Sequence, residues 1–180
     1  KELIMASGGK TFILFTSYAL LNQIYEKLDD LSLPFPLIRQ GDLPTTLMID
    51  KFKEKPSVIF GTNSFWQGVD IPGKALQSVI ITKLPFDVPK EPLTEARIEE
   101  LKSQNIEPFS HYQIPRAIIQ LKQGFGRLIR KKTDKGVVSL LDSRISRRGY
   151  GKKFITSLPV CPVASEIGEV RNFFSDENSF

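Results

Sequence analysis

Four near-continuous apolar runs, at residues 11–16, 57–60, 78–82 and 137–141, constrain the fold of this chain more than any other feature. None of them alternates apolar with polar residues, as a strand with one wet face does. A strand that is apolar throughout is covered on both faces, and such strands belong to parallel sheets sandwiched between helices. Between the runs the spacing turns helical. Residues 18–30 carry Leu20, Leu21, Ile24 and Leu28 on one face, and residues 44–53, 91–104 and 115–130 also read as helices, the last opened by Pro115 in its first turn. Residues 36–39 read as a further short strand, and the proline-punctuated stretch 84–92 as a loop. This alternation predicts an α/β fold with an open, mostly parallel sheet flanked by helices.

Size and charge narrow the function classes. At 180 residues and 41% hydrophobic content the chain suits one domain of ordinary core size. No apolar run approaches about 18 residues, so no membrane span is expected, and no stretch reads as a signal peptide. Lys1 in the place of an initiator Met suggests a piece of a longer product. The formal charge of +5 suits a polyanionic partner. A lone cysteine, Cys161, excludes an intrachain disulfide and cannot alone hold zinc or an iron–sulfur cluster, so the cytoplasm is the default compartment. Residues 1–159 form the expected domain, and residues 160–180 a polar tail expected to be ordered only where Phe173 or Phe174 finds a groove.

The helix at 115–130 carries the most chemistry. On an ideal helix of about 100° per residue, Ile114, Ala117, Ile118, Leu121, Phe125 and Leu128 share one arc, and Gln123, Arg127 and Arg130 fall opposite. Arg116, Lys122, Arg127, Arg130, Lys131 and Lys132 have no Asp or Glu among them to form pairs three or four residues apart. The planar fork of arginine binds phosphate oxygens in pairs, which makes a polyphosphate the first candidate for this face; a solvated basic stripe is the plainer alternative. Gly124 and Gly126 each cost about 1 kcal/mol in a helix relative to alanine. Close approach of another group to the backbone would account for them.

A second cluster follows the run at 57–60. Gly61-Thr-Asn-Ser-Phe-Trp-Gln-Gly-Val-Asp70-Ile-Pro-Gly73 reads as a loop leaving the carboxyl end of a buried strand, where ligands bind in open α/β sheets. Phe65 and Trp66 are neighbours that point different ways. One can pack into the core while the other stays available to stack on a base. Asp70 could cap a turn or accept a ribose hydroxyl.

Gln-x-x-Gly-Arg-x-x-Arg at Gln123–Arg130 resembles motif VI of superfamily 2 helicases, and the segment from Gly61 to Gly73 resembles motif V. Both occur in the expected order. Together with Lys83-Leu-Pro-Phe-Asp-Val-Pro89, Tyr150-Gly-Lys-Lys-Phe154 and the motif IV-like Phe12-Ile-Leu-Phe-Thr-Ser-Tyr18, they make the chain similar to the second RecA-like domain of DinG-type DNA helicases, bacterial relatives of XPD. The resemblance implies that Arg127 is an arginine finger toward ATP, with Arg130 and Gln123 also facing its phosphates, Gly126 lying between them, and Gly68 and Asp70 approaching the ribose and γ-phosphate. It further implies that Thr16, Ser17, Thr62, Asn63 and Ser64 hold the backbone of single-stranded DNA, that Gln40 lies in the loop after the next strand on the same surface, and that Trp66 or Phe65 contacts a base. By the same resemblance the whole protein moves 5′-to-3′, acts in DNA repair, and uses ATP with Mg²⁺ held mainly by an N-terminal RecA-like domain of the same polypeptide. Some relatives carry an exonuclease domain, where the helicase half would gate a nuclease.

Half of an ATPase is missing from the sequence. Phosphoryl transfer needs a glycine loop ending in Lys and Ser/Thr, and a carboxylate for the metal. Ser7-Gly-Gly-Lys-Thr11 only imitates that loop, because Ile4 stands where its first glycine belongs and a strand, not a helix, follows Lys10. The chain alone is therefore expected to be inactive. The competing reading is a non-catalytic nucleic-acid-binding or regulatory domain whose arginines grip phosphodiesters. His111 has no Ser or Cys constellation in the sequence, and Asp29-Asp30 and Glu99-Glu100 read as solvated helix faces. Arg144, Arg147 and Arg148 divide between DNA phosphate and Asp142.

Overall fold

The central strand, β1 (Thr11–Phe15), is buried at all five positions. In the computed structural model, which describes residues 1–62, 65, 75–129 and 134–177 and the side chains of these up to residue 175, five strands form one parallel sheet in the order β2-β3-β1-β4-β5. The other strands are β2 (Leu37–Arg39), β3 (Val58–Thr62), β4 (Ser78–Ile81) and β5 (Val137–Leu140). β1 pairs with β3 from Thr11↔Val58 to Phe15↔Thr62 and with β4 from Thr11↔Ser78 to Leu14↔Ile81. All the carboxyl ends therefore lie along one edge.

Strand periodicity of two sends successive side chains to opposite faces, and the core divides accordingly. Phe12, Leu14, Ile59, Val79 and Ile81 belong to one apolar cluster, while Ile13, Phe15, Val58, Phe60 and Ile80 belong to the other. The second face is covered by α1 (Glu2–Ala6) through Ile4 and by α2 (Tyr18–Asp29) through Leu21 and Leu28. The first is covered by Met48, Ile49 and Phe52 of α3 (Thr45–Glu54), by Ile114, Ala117, Leu121 and Leu128 of α5 (Ile114–Leu128), and by Phe154 of α7 (Gly151–Ser157). This two-sided burial accounts for the unbroken apolar runs of β1, β3 and β4, whereas β5, expected to be covered in the same way, is an edge strand and only half-buried at its four positions.

α4 (Pro92–Ser103) buries only Thr94. A five-residue π-helix, Phe109–Gln113, leads into α5, and the short α6 (Arg144–Arg147) follows β5. The tail contains a helix, α8 (Ile167–Glu177), that lies on α1. Phe174 is 5% exposed and, with Met5 and Ala6, lines a shallow depression, and Arg171 pairs with Glu2 at 2.8 Å.

Candidate functional site

The carboxyl edge of the sheet gathers four of the residues expected to contact DNA. Thr16 and Ser17 follow β1, Thr62 ends β3 beside Phe15, and Gln40 follows β2 with its amide bonded to the Phe60 carbonyl at 2.9 Å. Ser17 caps α2, its Oγ accepting from the Leu20 amide at 3.4 Å, which leaves the hydroxyl proton for an outside acceptor. The start of a twelve-residue helix adds the positive end of its dipole to this edge. Gln40 and Thr62 engage each other: Gln40 Oε1 accepts from the Thr62 amide at 2.6 Å and from Thr62 Oγ1 at 3.1 Å. Asn63, Ser64, Trp66, Gly68, Asp70 and Arg130 lie outside the described residues.

Phe65 is the aromatic neighbour that packs inward. Its side chain is 3% exposed and meets Phe12 edge-on at 5.6 Å, and a Cβ on Gly61 would lie 2.9 Å from its ring. A base cannot reach a ring buried this way, so Phe65 is removed from the expected DNA contacts and the stacking proposal passes to Trp66.

Helix α5 runs antiparallel to the strands. Its first turns lie near the loop after β4, where Asp87 meets Arg116 and Gln120, and its last turn lies near the strand starts, where a Cβ on Gly136 would be 2.6 Å from the Gln77 carbonyl and 2.7 Å from Leu128. Arg127 therefore sits toward the amino edge of the sheet, away from Thr16, Ser17, Gln40 and Thr62. Gln123 and Gly126 are exposed, Arg127 is half-buried, and a Cβ on Gly126 would meet nothing within 4 Å. No close contact among the described residues requires that glycine. Gly124 faces the core, and Phe125 is only half-buried.

The six basic residues are less uncompensated than their sequence neighbourhood implies. Arg116 pairs with Asp87 from outside the helix, and the hydrogen bond it donates to Asp87 holds its guanidinium pKa above the ordinary value despite partial burial. Arg144 is likewise committed. It grips Asp142 with Nε at 2.9 and 3.0 Å and Nη2 at 2.6 Å, and its Cζ lies 5.2 Å from the centre of the Phe86 ring. Arg147 and Arg148 remain exposed.

His111 does have a serine beside it. Ser110 Oγ lies 3.0 Å from His111 Nδ1 and 2.6 Å from Glu107 Oε2, and Glu107 also accepts the Phe109 and Ser110 amides. In a hydrolytic triad the imidazole stands between hydroxyl and carboxylate. Here the carboxylate holds the hydroxyl directly, capping an exposed helix start, and the Ser110 bonds lower the Glu107 pKa. At the other tempting segment, α1 ends at Ala6, Gly8 and Gly9 adopt φ of 60° and 80°, and β1 begins at Thr11. A helix-turn-strand order cannot build the phosphate loop, which needs strand, loop and helix.

A helicase C-terminal domain family matches residues 1–161. The chain belongs to this family. It is 43% identical over 176 residues to the ATP-dependent DNA helicase YoaA of Haemophilus influenzae, a match covering 97% of this chain and 27% of that protein. The 3′-5′ exonuclease DinG of Bacillus subtilis is 37% identical over 160 residues, covering 86% of this chain and 17% of its own length. The chain thus spans about a quarter or less of either relative. A solved XPD helicase superposes with a TM-score of 0.62 at 18% identity, over 82% of this chain and 27% of the other. That likeness establishes the RecA-like fold, and the five parallel strands agree with it.

Sequence reasoning missed Asp87, Arg116 and Gln120 as a connected group, and likewise the bond from the Leu84 amide to Asp142 at 2.8 Å. Both loop partners fall in the Lys83–Pro89 motif, which was visible without a role. Among the described residues no helix is long and apolar enough to cross a membrane, and no group of three His, Cys, Asp or Glu side chains could hold a metal ion.

Proposed function

We propose that this chain is the second motor domain of an ATP-dependent DNA helicase of the DinG and YoaA kind, working against an N-terminal RecA-like domain of the same polypeptide. The observation that carries the reading is the separation of two surfaces. Arg127 lies near the amino edge of the sheet, and the hydroxyl and amide groups of Thr16, Ser17, Gln40 and Thr62 lie along the carboxyl edge. A motor that turns phosphate chemistry into movement on a strand needs both sites on one rigid body.

In this reading Arg127 reaches across the interdomain cleft and stabilises charge developing on the γ-phosphate. Gln123 and Arg130 face the same phosphates, with Gly126 giving room, and Gly68 and Asp70 approach the ribose side. Mg²⁺, held mainly by the N-terminal domain, supplies charge neutralisation at the phosphates. Ser17 donates its hydroxyl to a DNA phosphate, and Thr16, Thr62, Asn63 and Ser64 add contacts that carry no sequence information. Trp66 stacks on a base. Movement is 5′-to-3′ on single-stranded DNA, the setting is cytoplasmic DNA repair, and residues 1–159 are the domain with 160–180 its tail.

The Bacillus relative, named an exonuclease, favours a second reading in which the same surfaces bind DNA and regulate a nuclease without unwinding. ATP turnover by the complete polypeptide, with and without single-stranded DNA, separates the two. DNA-stimulated turnover lost in Arg127→Ala supports the motor. DNA binding without turnover supports the regulatory domain.

A further inference from the structure

Asp87 stands six positions beyond the end of β4, in a loop that is itself pinned on several sides. Thr82 Oγ1 donates to the Leu14 carbonyl at 2.9 Å, the Leu84 amide donates to Asp142 at 2.8 Å, and the Phe86 ring packs against Phe109 at 5.6 Å and Phe154 at 5.8 Å. From this anchor the Asp87 carboxylate, 9% exposed, accepts from Arg116 Nε and from Gln120 Nε2 at 2.7 Å. Those two donors stand one turn apart on α5. The Gln120 Oε1 is buried and has no partner among the described residues, so Asp87 provides the bond that holds this amide.

Helix geometry extends the consequence. At about 100° per residue, Arg116, Gln120, Gln123 and Arg127 fall within about 60° of one another, a single polar stripe roughly 16 Å long from Arg116 to Arg127. The apolar side of α5 fixes how far the helix stands from the sheet, but apolar contacts are non-directional and tolerate small rotations. Two hydrogen bonds donated to a fixed loop carboxylate do not. A rotation about the axis that breaks them displaces every group on the stripe, Arg127 included.

We infer that Asp87 is a positioning residue for Arg127: it sets the azimuth of α5, and so the aim of the guanidinium, from three turns upstream. The inference rests on the reading of Arg127 as the phosphate-facing arginine of an ATP-driven motor. Misplacement of a catalytic group by about 1 Å costs on the order of 10²-fold in rate, while substrate affinity is set elsewhere.

The test uses the complete polypeptide with saturating single-stranded DNA. Asp87→Asn keeps an acceptor for Gln120 and removes the negative charge that faces Arg116. The expected result is a fall in kcat for ATP of roughly 10- to 10²-fold, with KM for ATP, DNA affinity and the thermal midpoint close to the parent. In an Arg127→Ala background, Asp87→Asn should produce no further loss in single-turnover rate, because the group it aims is gone. Equal, additive losses in both backgrounds would make Asp87 a merely structural residue and overturn the inference. Unchanged kcat in Asp87→Asn beside a large loss in Arg127→Ala would also overturn it while leaving the motor reading intact. An Arg127→Ala variant with parental turnover would sink the motor reading, and the clamp with it. Should Asp87→Asn fail to fold, Arg116→Ala, whose side chain is 48% exposed, replaces it with the same expectations.

Discussion

The Asp142 carboxylate accepts the Leu84 amide at 2.8 Å across 58 positions of sequence and, with its other contacts, holds Arg144 bidentately. Burial pushes this carboxyl up, but the Arg144 side chain, the Leu84 and Arg144 amides and the charge of Arg144 together outweigh it and bring it from 3.8 to about 2. A folded-state pKa below the unfolded value gives stability that is fully present above the unfolded value and lost as pH falls through the folded one. Asp142→Asn keeps an acceptor for Leu84 and loses the charge-assisted part, so it should unfold more easily at neutral pH by on the order of 2 kcal/mol. Urea unfolding of both proteins from neutral pH downward tests this. The difference should shrink between 3.8 and about 2, and a difference constant through that window would mean that the carboxyl is not depressed.

Phe65 and Trp66 make a paired prediction. Phe65→Ala empties a site between Gly61 and Phe12 and should cost about 3–5 kcal/mol of stability. Its affinity for single-stranded DNA, compared on folded protein, should stay near the parent. Trp66→Ala should do the reverse, weakening DNA binding by about 1–3 kcal/mol with a smaller change in the thermal transition. Thermal melts and fluorescence titrations on the two variants decide it; a DNA defect confined to Phe65→Ala would invert the assignment.

What the sequence made legible was whatever one segment shows by itself. The runs at β1, β3 and β4 could be read because both faces of each strand are buried, and α5 because its apolar and polar arcs are both continuous within one helix. Ser17 was findable as a hydroxyl between a strand and a helix. What stayed hidden depends on where distant segments meet. Asp87 is unremarkable beside Phe86 and Val88 until α5 brings Arg116 and Gln120 to it, and the Gln40 to Thr62 bond joins two strand ends 22 positions apart. The α8 helix was missed for a related reason: its interior is mostly polar, and its ordering depends on Phe174 finding α1 at the other end of the chain. Helical periodicity also misplaced Phe125, since the buried position near that turn is Gly124.

The carboxyl edge should bind single-stranded DNA weakly and without sequence preference. Each phosphate neutralised by a lysine or arginine contributes about −0.7 to the slope of log K against log salt, whereas the neutral hydroxyl and amide contacts of this edge add little to it. Ser17→Asp isolates this surface, because aspartate caps the α2 amide as well as serine does while its charge repels a phosphate. The thermal midpoint should hold, and DNA affinity should fall most at low salt, the repulsive part of the loss shrinking as salt screens it while the loss of the hydroxyl donor remains. Titrations at several salt concentrations measure it. Parental affinity in the folded Ser17→Asp protein would remove Ser17 from the path of the strand.

Arg127 gives the sharpest separation of the two surfaces. A guanidinium aimed at charge that develops in the transition state lowers the barrier without tightening the ground state. In the complete polypeptide Arg127→Ala should therefore reduce ATP turnover far more than ATP affinity, and arginine fingers in related phosphoryl transfer are worth about 10³ to 10⁵ in rate. Arg127→Lys should rescue poorly, because an ammonium lacks the planar fork that meets two phosphate oxygens. DNA binding in the absence of nucleotide should survive both changes, since Arg127 sits toward the amino edge and Ser17 at the carboxyl edge of the sheet. Steady-state ATPase kinetics and DNA titrations on the same folded variants provide the comparison. Parental turnover combined with lost DNA binding would move Arg127 onto the strand-binding surface, and the basic face of α5 would then belong to a regulatory nucleic-acid-binding domain.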